Sequence, residues 1–449
     1  MKFNFASDSP LLQPEFIFGA ATASFQIEGA RSTRRDCIWD TFCATPGAIR
    51  DGSNGDVACD HLQRWQDDVQ LLAELKVDAY RLSISWPRVM LPSGELDAQG
   101  VQFYIDLLDA LKARGIQTFV TLYHWDLPQW LEDQGGWVNR QTAYEFARYA
   151  DLITKALGNR VDAYATFNEP FCSSYLGYEI GIHAPGKKSQ ALGRQAAHHI
   201  LLAHGLALPL MRANVPAAKH GIVLNFTPAY PASADAADVR AADIANNYFN
   251  LWYIEPLFNR RYPEVGDYLP ADAMPVMEEG DFAIISQPID YLGVNFYTRT
   301  VYRADPSGFA VVDQVNAPKT DIGWEIYPDA FRALLVDLHT RYPLPPIYIT
   351  ENGAAMADKV SLDARGLPQV ADTDRVAYYQ AHLEALQAAM AQGVVVHGYF
   401  AWSLMDNFEW AEGYLKRFGI VYVDYQTQQR IKKYSALAFQ ALQQLRRGD

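Results

Sequence analysis

Eight short apolar runs of strand-forming residues punctuate this chain. They lie near 16–21, 79–85, 117–123, 163–167, 221–226, 289–296, 347–350 and 394–401. Between most of them the apolar period lengthens from two to 3.6 residues, the mark of amphipathic helices. Leu62, Trp65, Val69, Leu72 and Leu75 share one such face, and Val101, Ile105, Leu108 and Leu111 another. Phe331, Leu334, Leu335 and Leu338 repeat the pattern, as do Val376, Tyr379, Leu383, Leu386 and Met390. A last helix is expected over about 434–445. Strands apolar on both faces and alternating with helices form a parallel sheet covered by helices. Eight such units close into a (β/α)8 barrel. A doubly wound open sheet would more often carry a glycine-rich phosphate loop, and neither G-x-G-x-x-G at a strand–helix junction nor a Walker loop is present. The expected class is therefore α/β: a single (β/α)8 TIM barrel spanning 1–449, with extended βα loops at its C-terminal face. Segments 37–59 and 303–324 read as loop walls over the mouth, and 229–242 as a solvent loop leading into a helix.

The ends of these runs carry chemistry. At or just beyond them stand Gln26, Arg81, His124, Trp125, Asn168, Glu169, Asn225, Asn295, Tyr297, Glu351 and Trp402. In a barrel all of these face one mouth. Two are glutamates in matching settings, Tyr164-Ala165-Thr166-Phe167-Asn168-Glu169-Pro170 and Ile347-Tyr348-Ile349-Thr350-Glu351-Asn352-Gly353. A buried carboxylate is costly unless compensated, and two at one mouth suit glycosidic bond cleavage, which needs a proton donor and a nucleophile or base. One must hold its proton near neutral pH while the other stays ionised. Arg81 is placed to keep one of them ionised, and Tyr297 to add a phenolic hydrogen bond.

Composition narrows the partners. The formal charge of −14 opposes binding to a phosphate backbone, so no nucleic-acid partner is expected. No apolar run is long enough to span a bilayer, so neither is a membrane. No basic segment followed by an apolar stretch opens the chain, which predicts a cytoplasmic protein; its four cysteines are then expected as free thiols. No cofactor and no metal is expected: His198, His199 and His204 lack the i, i+4 spacing of a helical zinc pair and read as packing residues. Cys172 reads as a buried neutral thiol.

Six further pieces, in order, carry a resemblance. They are Phe18-Gly19-Ala20-Ala21-Thr22-Ala23-Ser24-Phe25-Gln26-Ile27-Glu28-Gly29, Tyr80-Arg81-Leu82-Ser83-Ile84-Ser85-Trp86-Pro87-Arg88, Leu122-Tyr123-His124-Trp125-Asp126-Leu127-Pro128, Thr166-Phe167-Asn168-Glu169-Pro170, Ile349-Thr350-Glu351-Asn352-Gly353, and Trp402-Ser403-Leu404-Met405-Asp406-Asn407-Phe408-Glu409-Trp410. With these the chain resembles glycoside hydrolase family 1, of β-glucosidase type. The resemblance implies that Glu169 is the acid/base and Glu351 the nucleophile of a retaining, exo-acting enzyme, with the carboxyls about 5–5.5 Å apart. It implies that Arg81, Asn295 and Tyr297 hold Glu351. Gln26, His124, Trp125, Asn168, Trp402, Glu409 and Trp410 would bind the glycone, and Trp324 would wall the aglycone side. Asn168 would meet the 2-hydroxyl. Gln26 and Glu409 would share the 4-hydroxyl, Glu409 reaching the 6-hydroxyl as well. A cis peptide is implied at Trp402–Ser403. Expected substrates are cello-oligosaccharides or aryl β-glucosides, with side activity on β-galactosides or β-fucosides. Phe171 stands where many relatives carry Trp.

Three other readings compete. A 6-phospho-β-glucosidase would lack a carboxylate at 409, where it repels the phosphate, although Tyr414 and Lys416 lie close by. A non-catalytic sugar-binding barrel would typically have lost one of the two glutamates. A Schiff-base enzyme would need a lysine at a strand end, and none is there.

Overall fold

The computed structural model describes residues 2–448. Its eight central strands are β1 (Ile17–Ala21), β2 (Ala79–Ser83), β3 (Gln117–Tyr123), β4 (Ala163–Asn168), β5 (Lys219–Phe226), β6 (Tyr291–Phe296), β7 (Ile347–Asn352) and β8 (Val396–Trp402). Every neighbouring pair is parallel, and β1 pairs with both β2 and β8, so the sheet closes into the expected barrel. Strand limits differ from the apolar runs by a few residues, for local reasons. β2 stops at Ser83 because Ser85 N–H turns aside to donate to Tyr104 Oη at 2.8 Å, and a short helix, Trp86–Val89, begins at once. β7 and β8 run on through Asn352 and Trp402, which still pair with their neighbours.

Helices cover the barrel, among them His61–Glu74, Ala98–Ala113, Gln141–Leu157, Gln190–Asn214, Pro328–Arg341, Thr373–Met390 and Tyr434–Arg447. The expected apolar faces are the inward ones. Val69, Leu72 and Leu75 are buried, as are Val101, Leu108 and Leu111, and Phe331, Leu334, Leu335 and Leu338. At the helix Ala98–Ala113 Asp97 caps the start by accepting from Gln99 and Gly100 N–H, satisfying donors that a helix end leaves unpaired.

Aromatic rings fill the barrel below the strand ends. Phe119 lies 4.9 Å from Phe400 and 5.1 Å from Tyr348, and Tyr348 lies 5.5 Å from Tyr291. Gly19 makes room for this layer, since a Cβ there would sit 2.5 Å from the Phe400 ring. The barrel is thus a packed core with a floor, and only its mouth is open to substrate.

Two connecting segments depart from expectation. Residues 229–242 hold a strand, Ala229–Pro231, and the start of a helix, Ala236–Asn246. The strand pairs with Thr300–Asp305, which turns back on Gly308–Val311, so 303–324 opens as part of a three-stranded sheet. These strands are only partly buried, so they show neither a continuous apolar run nor strict alternation. Segment 37–59 contains the helix Ile38–Cys43, and its Trp39 backs Trp410 at 4.6 Å between ring centres. Among the described residues no helix is long and apolar enough to cross a membrane, and no cluster of three metal-ligating side chains occurs. His198 meets Tyr262 and Asp281, His199 meets the Trp137 carbonyl, and His204 meets Thr166.

Candidate active site

Both glutamates follow an irregularity in the barrel's pairing. The β4–β5 register shifts between Ala165 and Asn168, and the β7–β6 register shifts between Ile349 and Glu351. Such bulges turn a strand's last side chains away from strict alternation. Glu169 is turned further by its own backbone, with φ of 50° in the left-handed region, uncommon for a residue with a side chain. The result is two glutamates that are 5% and 3% exposed, both lining one cleft of about 670 Å³ at the mouth.

One hydrogen-bonded chain joins them. Arg81 Nη1 donates to Glu351 Oε1 at 2.7 Å, and Arg81 Nη2 to Asn168 Oδ1 at 2.6 Å. Asn295 Nδ2 donates to that same Asn168 oxygen at 3.0 Å and to Glu169 Oε1 at 2.6 Å. Tyr297 Oη donates to Glu351 Oε2 at 2.6 Å. Arg81 and Tyr297 therefore hold Glu351 as expected of their positions. Asn295 serves both carboxyls: its short hydrogen bond goes to Glu169, it also helps to hold Glu351 down, and its Oδ1 accepts from Thr350 Oγ1 at 2.6 Å. It pairs with Glu351 along the backbone.

The same contacts split the two carboxyls electrostatically. Burial, then the Glu351 charge, push Glu169 up to about 8; Asn295, Cys172 and Arg81 only partly oppose this. Burial raises Glu351 as well, but Arg81 and Tyr297 pull it back. A full ion pair outweighs an amide or thiol donor. Glu351 therefore ionises first and Glu169 keeps the proton.

Beside them lies a nest of buried polar atoms with unmet hydrogen bonds. Gln26 Nε2 donates to Asn407 Oδ1 at 3.0 Å and to the Phe408 carbonyl at 2.8 Å, which fixes its amide and leaves Oε1 buried without a partner. Glu409 Oε2 is likewise buried and unpartnered. Burial, Glu351 and Glu169 push Glu409 up to about 8. Asn168 Nδ2 faces His124 Nε2 at 3.1 Å, because Asn168 Oδ1 is taken by Arg81 and Asn295. His124 Nε2 is then the acceptor and Nδ1 carries the hydrogen, yet Nδ1 has no partner; burial holds the ring neutral. An amide oxygen, a carboxylate oxygen and an imidazole N–H are groups that sugar hydroxyls can meet. Aromatic planes frame them. Trp402 stacks on His124 at 5.8 Å, and Trp410 packs on Trp125 at 4.5 Å. The Trp125 indole N–H is taken by the Asn168 carbonyl at 2.9 Å, so this side chain offers only its face. The loop carrying Glu409 is anchored by buried Asp406, which accepts from Lys433 Nζ at 2.7 Å and Arg417 Nη1 at 2.6 Å.

The barrel and the buried carboxyl pair at its mouth are shared with known proteins. Residues 9–447 match the model of glycosyl hydrolase family 1. A beta-glucosidase of Agrobacterium sp. is 46% identical, with 95% of this chain and 94% of that protein covered. A bifunctional beta-D-glucosidase/beta-D-fucosidase of Bifidobacterium breve is 43% identical over 93% and 95%. The structure of the family 1 b-glucosidase from Thermotoga maritima in complex with isofagomine lactam superposes with a TM-score of 0.92 at 40% identity, covering 99% of each chain. The chain belongs to glycosyl hydrolase family 1. It is a glycoside hydrolase.

The outer cleft of this family 1 site is walled mainly by aromatic and aliphatic side chains. Trp324 lies 5.3 Å from Tyr297 and 5.9 Å from Phe418, forming one wall. Phe171, Leu176, Ile182, Val301 and Val311 line it further out. The Trp402–Ser403 peptide is cis. The site also recruits residues that sequence reasoning did not assign. Thr350 donates to the Asn295 amide oxygen, and Asn407 locks the amide of Gln26. Phe418 and His183 line the cleft from loops. Thr350 and Asn407 stand inside the quoted motifs, a signal available in the sequence; Phe418 and His183 have none.

Proposed function

We propose that this family 1 glycosidase is a retaining β-glucosidase. It releases terminal non-reducing β-D-glucosyl residues by double displacement, the whole chain acting as one catalytic unit. Glu351, ionised and held by Arg81 and Tyr297, attacks the anomeric carbon as Glu169 protonates the leaving oxygen. Glu169 then deprotonates the water that frees the sugar. The observation that carries this reading is the pair of buried glutamates on one hydrogen-bonded chain with opposed electrostatic settings. The unpartnered Gln26 Oε1, His124 Nδ1 and Glu409 Oε2 would take the sugar hydroxyls, with Trp402 beneath the ring. Asn168 would meet the 2-hydroxyl. Two names among the relatives, beta-glucosidase and beta-D-glucosidase/beta-D-fucosidase, support glucosides first and fucosides as a side activity. The apolar outer cleft supports aryl aglycones alongside cello-oligosaccharides.

A specific observation favours a free sugar over a 6-phosphorylated one. Lys416 Nζ donates to the Asp321 carbonyl at 2.7 Å and to its carboxylate at 3.0 Å, and Tyr414 Oη donates to the Asn54 carbonyl at 2.8 Å. The two groups that could grip a phosphate are thus engaged elsewhere.

Proton NMR during hydrolysis of p-nitrophenyl β-glucoside tests the reading. β-Glucose is expected first, the α-anomer growing in only by mutarotation; α-glucose as first product overturns the retaining mechanism. Sugar hydroxyls donating to Glu409 would favour its ionised form, so replacing it with Gln is expected to lower kcat/KM for glucosides about 10²-fold, as a charge-assisted hydrogen bond is lost in the transition state. Unchanged kcat/KM in E409Q would remove Glu409 from the sugar site.

A further inference from the structure

Glu169 has two oxygens, and their surroundings differ. Oε1 faces Asn295 Nδ2 at 2.6 Å. That amide cannot flip, because the same Nδ2 also meets Asn168 Oδ1 at 3.0 Å, an oxygen that Arg81 holds as an acceptor. Oε1 therefore always meets a donor and cannot itself hold a proton without pressing hydrogen on hydrogen. The mobile proton of Glu169 must sit on Oε2. The protein group hydrogen-bonded to Oε2 is the thiol of Cys172, with Sγ at 3.0 Å. Cys172 is buried, lines the cleft, and donates its own N–H to the Glu169 carbonyl at 2.9 Å. It thus grips both the backbone and the side chain of Glu169.

We propose that Cys172 is a positioning residue for the acid/base: its thiol steadies Glu169 Oε2 when that oxygen is ionised and releases it cheaply when it is protonated. The inference rests on Glu169 being the acid/base. A thiol is a weak donor and a weak acceptor, so breaking S–H···O as the proton returns to Oε2 costs little. A hydroxyl in its place would hold the ionised form harder, and an alkyl group would not hold it at all. No bond to sulfur forms and no electron moves. Oε2 takes the proton from water and gives it to the leaving oxygen, and the S–H hydrogen stays on sulfur. Burial and the neighbouring carboxylate keep this thiol protonated, its pKa pushed well up.

Other charges also act on Glu169: Glu351 from β7, Arg81 from β2, and Glu409 from the loop after β8. Tyr297 follows β6 and is held neutral, its pKa pushed up by burial and by these carboxylates. None of these changes when position 172 is varied, so the direction of any movement belongs to the thiol.

The experiment is the pH dependence of kcat/KM on p-nitrophenyl β-glucoside for the native protein, C172S, C172V and E169Q. The activity requires protonated Glu169, so it is lost as pH rises through the Glu169 pKa. C172V is expected to move this alkaline edge up by about 0.5 pH unit and C172S to move it down by a similar amount, a factor of about 3 in proton affinity each way. A packing role alone would slow both variants and leave the edge in place. Edges within 0.1 unit of native in both variants, or moved the same way in both, overturn the proposal for Cys172. E169Q separates the two levels of the argument. Loss of the alkaline edge in E169Q leaves Glu169 as the titrating acid, so the Cys172 variants then judge Cys172 alone. An alkaline edge that persists in E169Q overturns the acid/base assignment itself.

Discussion

Glu351→Ala is expected to hydrolyse p-nitrophenyl β-glucoside about 10⁵-fold more slowly than the native enzyme, with the barrel intact. The size of the loss follows from what the side chain does in the proposed cycle. Without it no covalent glycosyl-enzyme can form, and the first displacement has no nucleophile. The deletion also strands Arg81 Nη1 and Tyr297 Oη, each now facing the cleft without its acceptor. Those two donors, with the space left by the carboxylate, form a small anion site beside the anomeric carbon. Azide added to the variant is therefore expected to restore turnover of an activated aryl glucoside and to yield α-glucosyl azide, because it attacks from the face Glu351 occupied. Near-native activity in Glu351→Ala, or a β-configured azide adduct, would falsify the nucleophile assignment. Thermal unfolding of the variant should fall by several degrees, since buried Arg81 loses the carboxylate it is paired with, and azide bound beside Arg81 should recover part of that loss.

Much of this site could be read from residue order, and the part that could not has a common cause. Strand ends are legible because a buried parallel strand is a continuous apolar run, so its end is sharp and the next side chain falls at the mouth. Glu169, Glu351, His124, Tyr297 and Trp402 fall at strand ends in this way, while Arg81 reaches the same site from the middle of β2. Direction was not legible. Asn295 sits at the expected strand end, yet no residue pattern announces that its short hydrogen bond goes to Glu169 while it also supports Glu351. The same holds for Cys172. Three residues beyond Glu169, it reads as filler until the φ of 50° at Glu169 folds the carboxylate back onto the thiol. Walls built from loops were least legible. Phe418 and His183 reach the cleft through segments without period, and the strands Thr300–Asp305 and Gly308–Val311 are too exposed to form a continuous apolar run. Periodicity encodes which face is buried; it carries no information on how far a bulge rotates the residue after it.

Glu169→Ala is expected to separate substrates by their leaving groups rather than to abolish turnover uniformly. Loss of the general acid should lower kcat/KM about 10³-fold or more for alkyl glucosides and cellobiose, whose oxygens cannot leave unprotonated. For 2,4-dinitrophenyl β-glucoside, which leaves readily as an anion, kcat/KM should fall by less than about tenfold. Its kcat should nevertheless drop, because the second step now lacks a base and the glycosyl-enzyme accumulates. A burst of dinitrophenolate followed by slow release is the expected trace. Azide needs no base, so it should restore kcat here too, but through attack on the covalent intermediate and with β-glucosyl azide as product. The two alanine variants are thus distinguished by opposite anomers of one adduct, a difference that neither misfolding nor a general loss of binding can produce. The pH profile gives a further sign. In the native enzyme kcat/KM falls as pH rises through the raised pKa of Glu169, and in Glu169→Ala that descent should vanish while the acidic limb, set by Glu351 gaining a proton, persists. Equal losses across good and poor leaving groups would mean that Glu169 orients substrate without transferring a proton, and the buried pair would then need another acid.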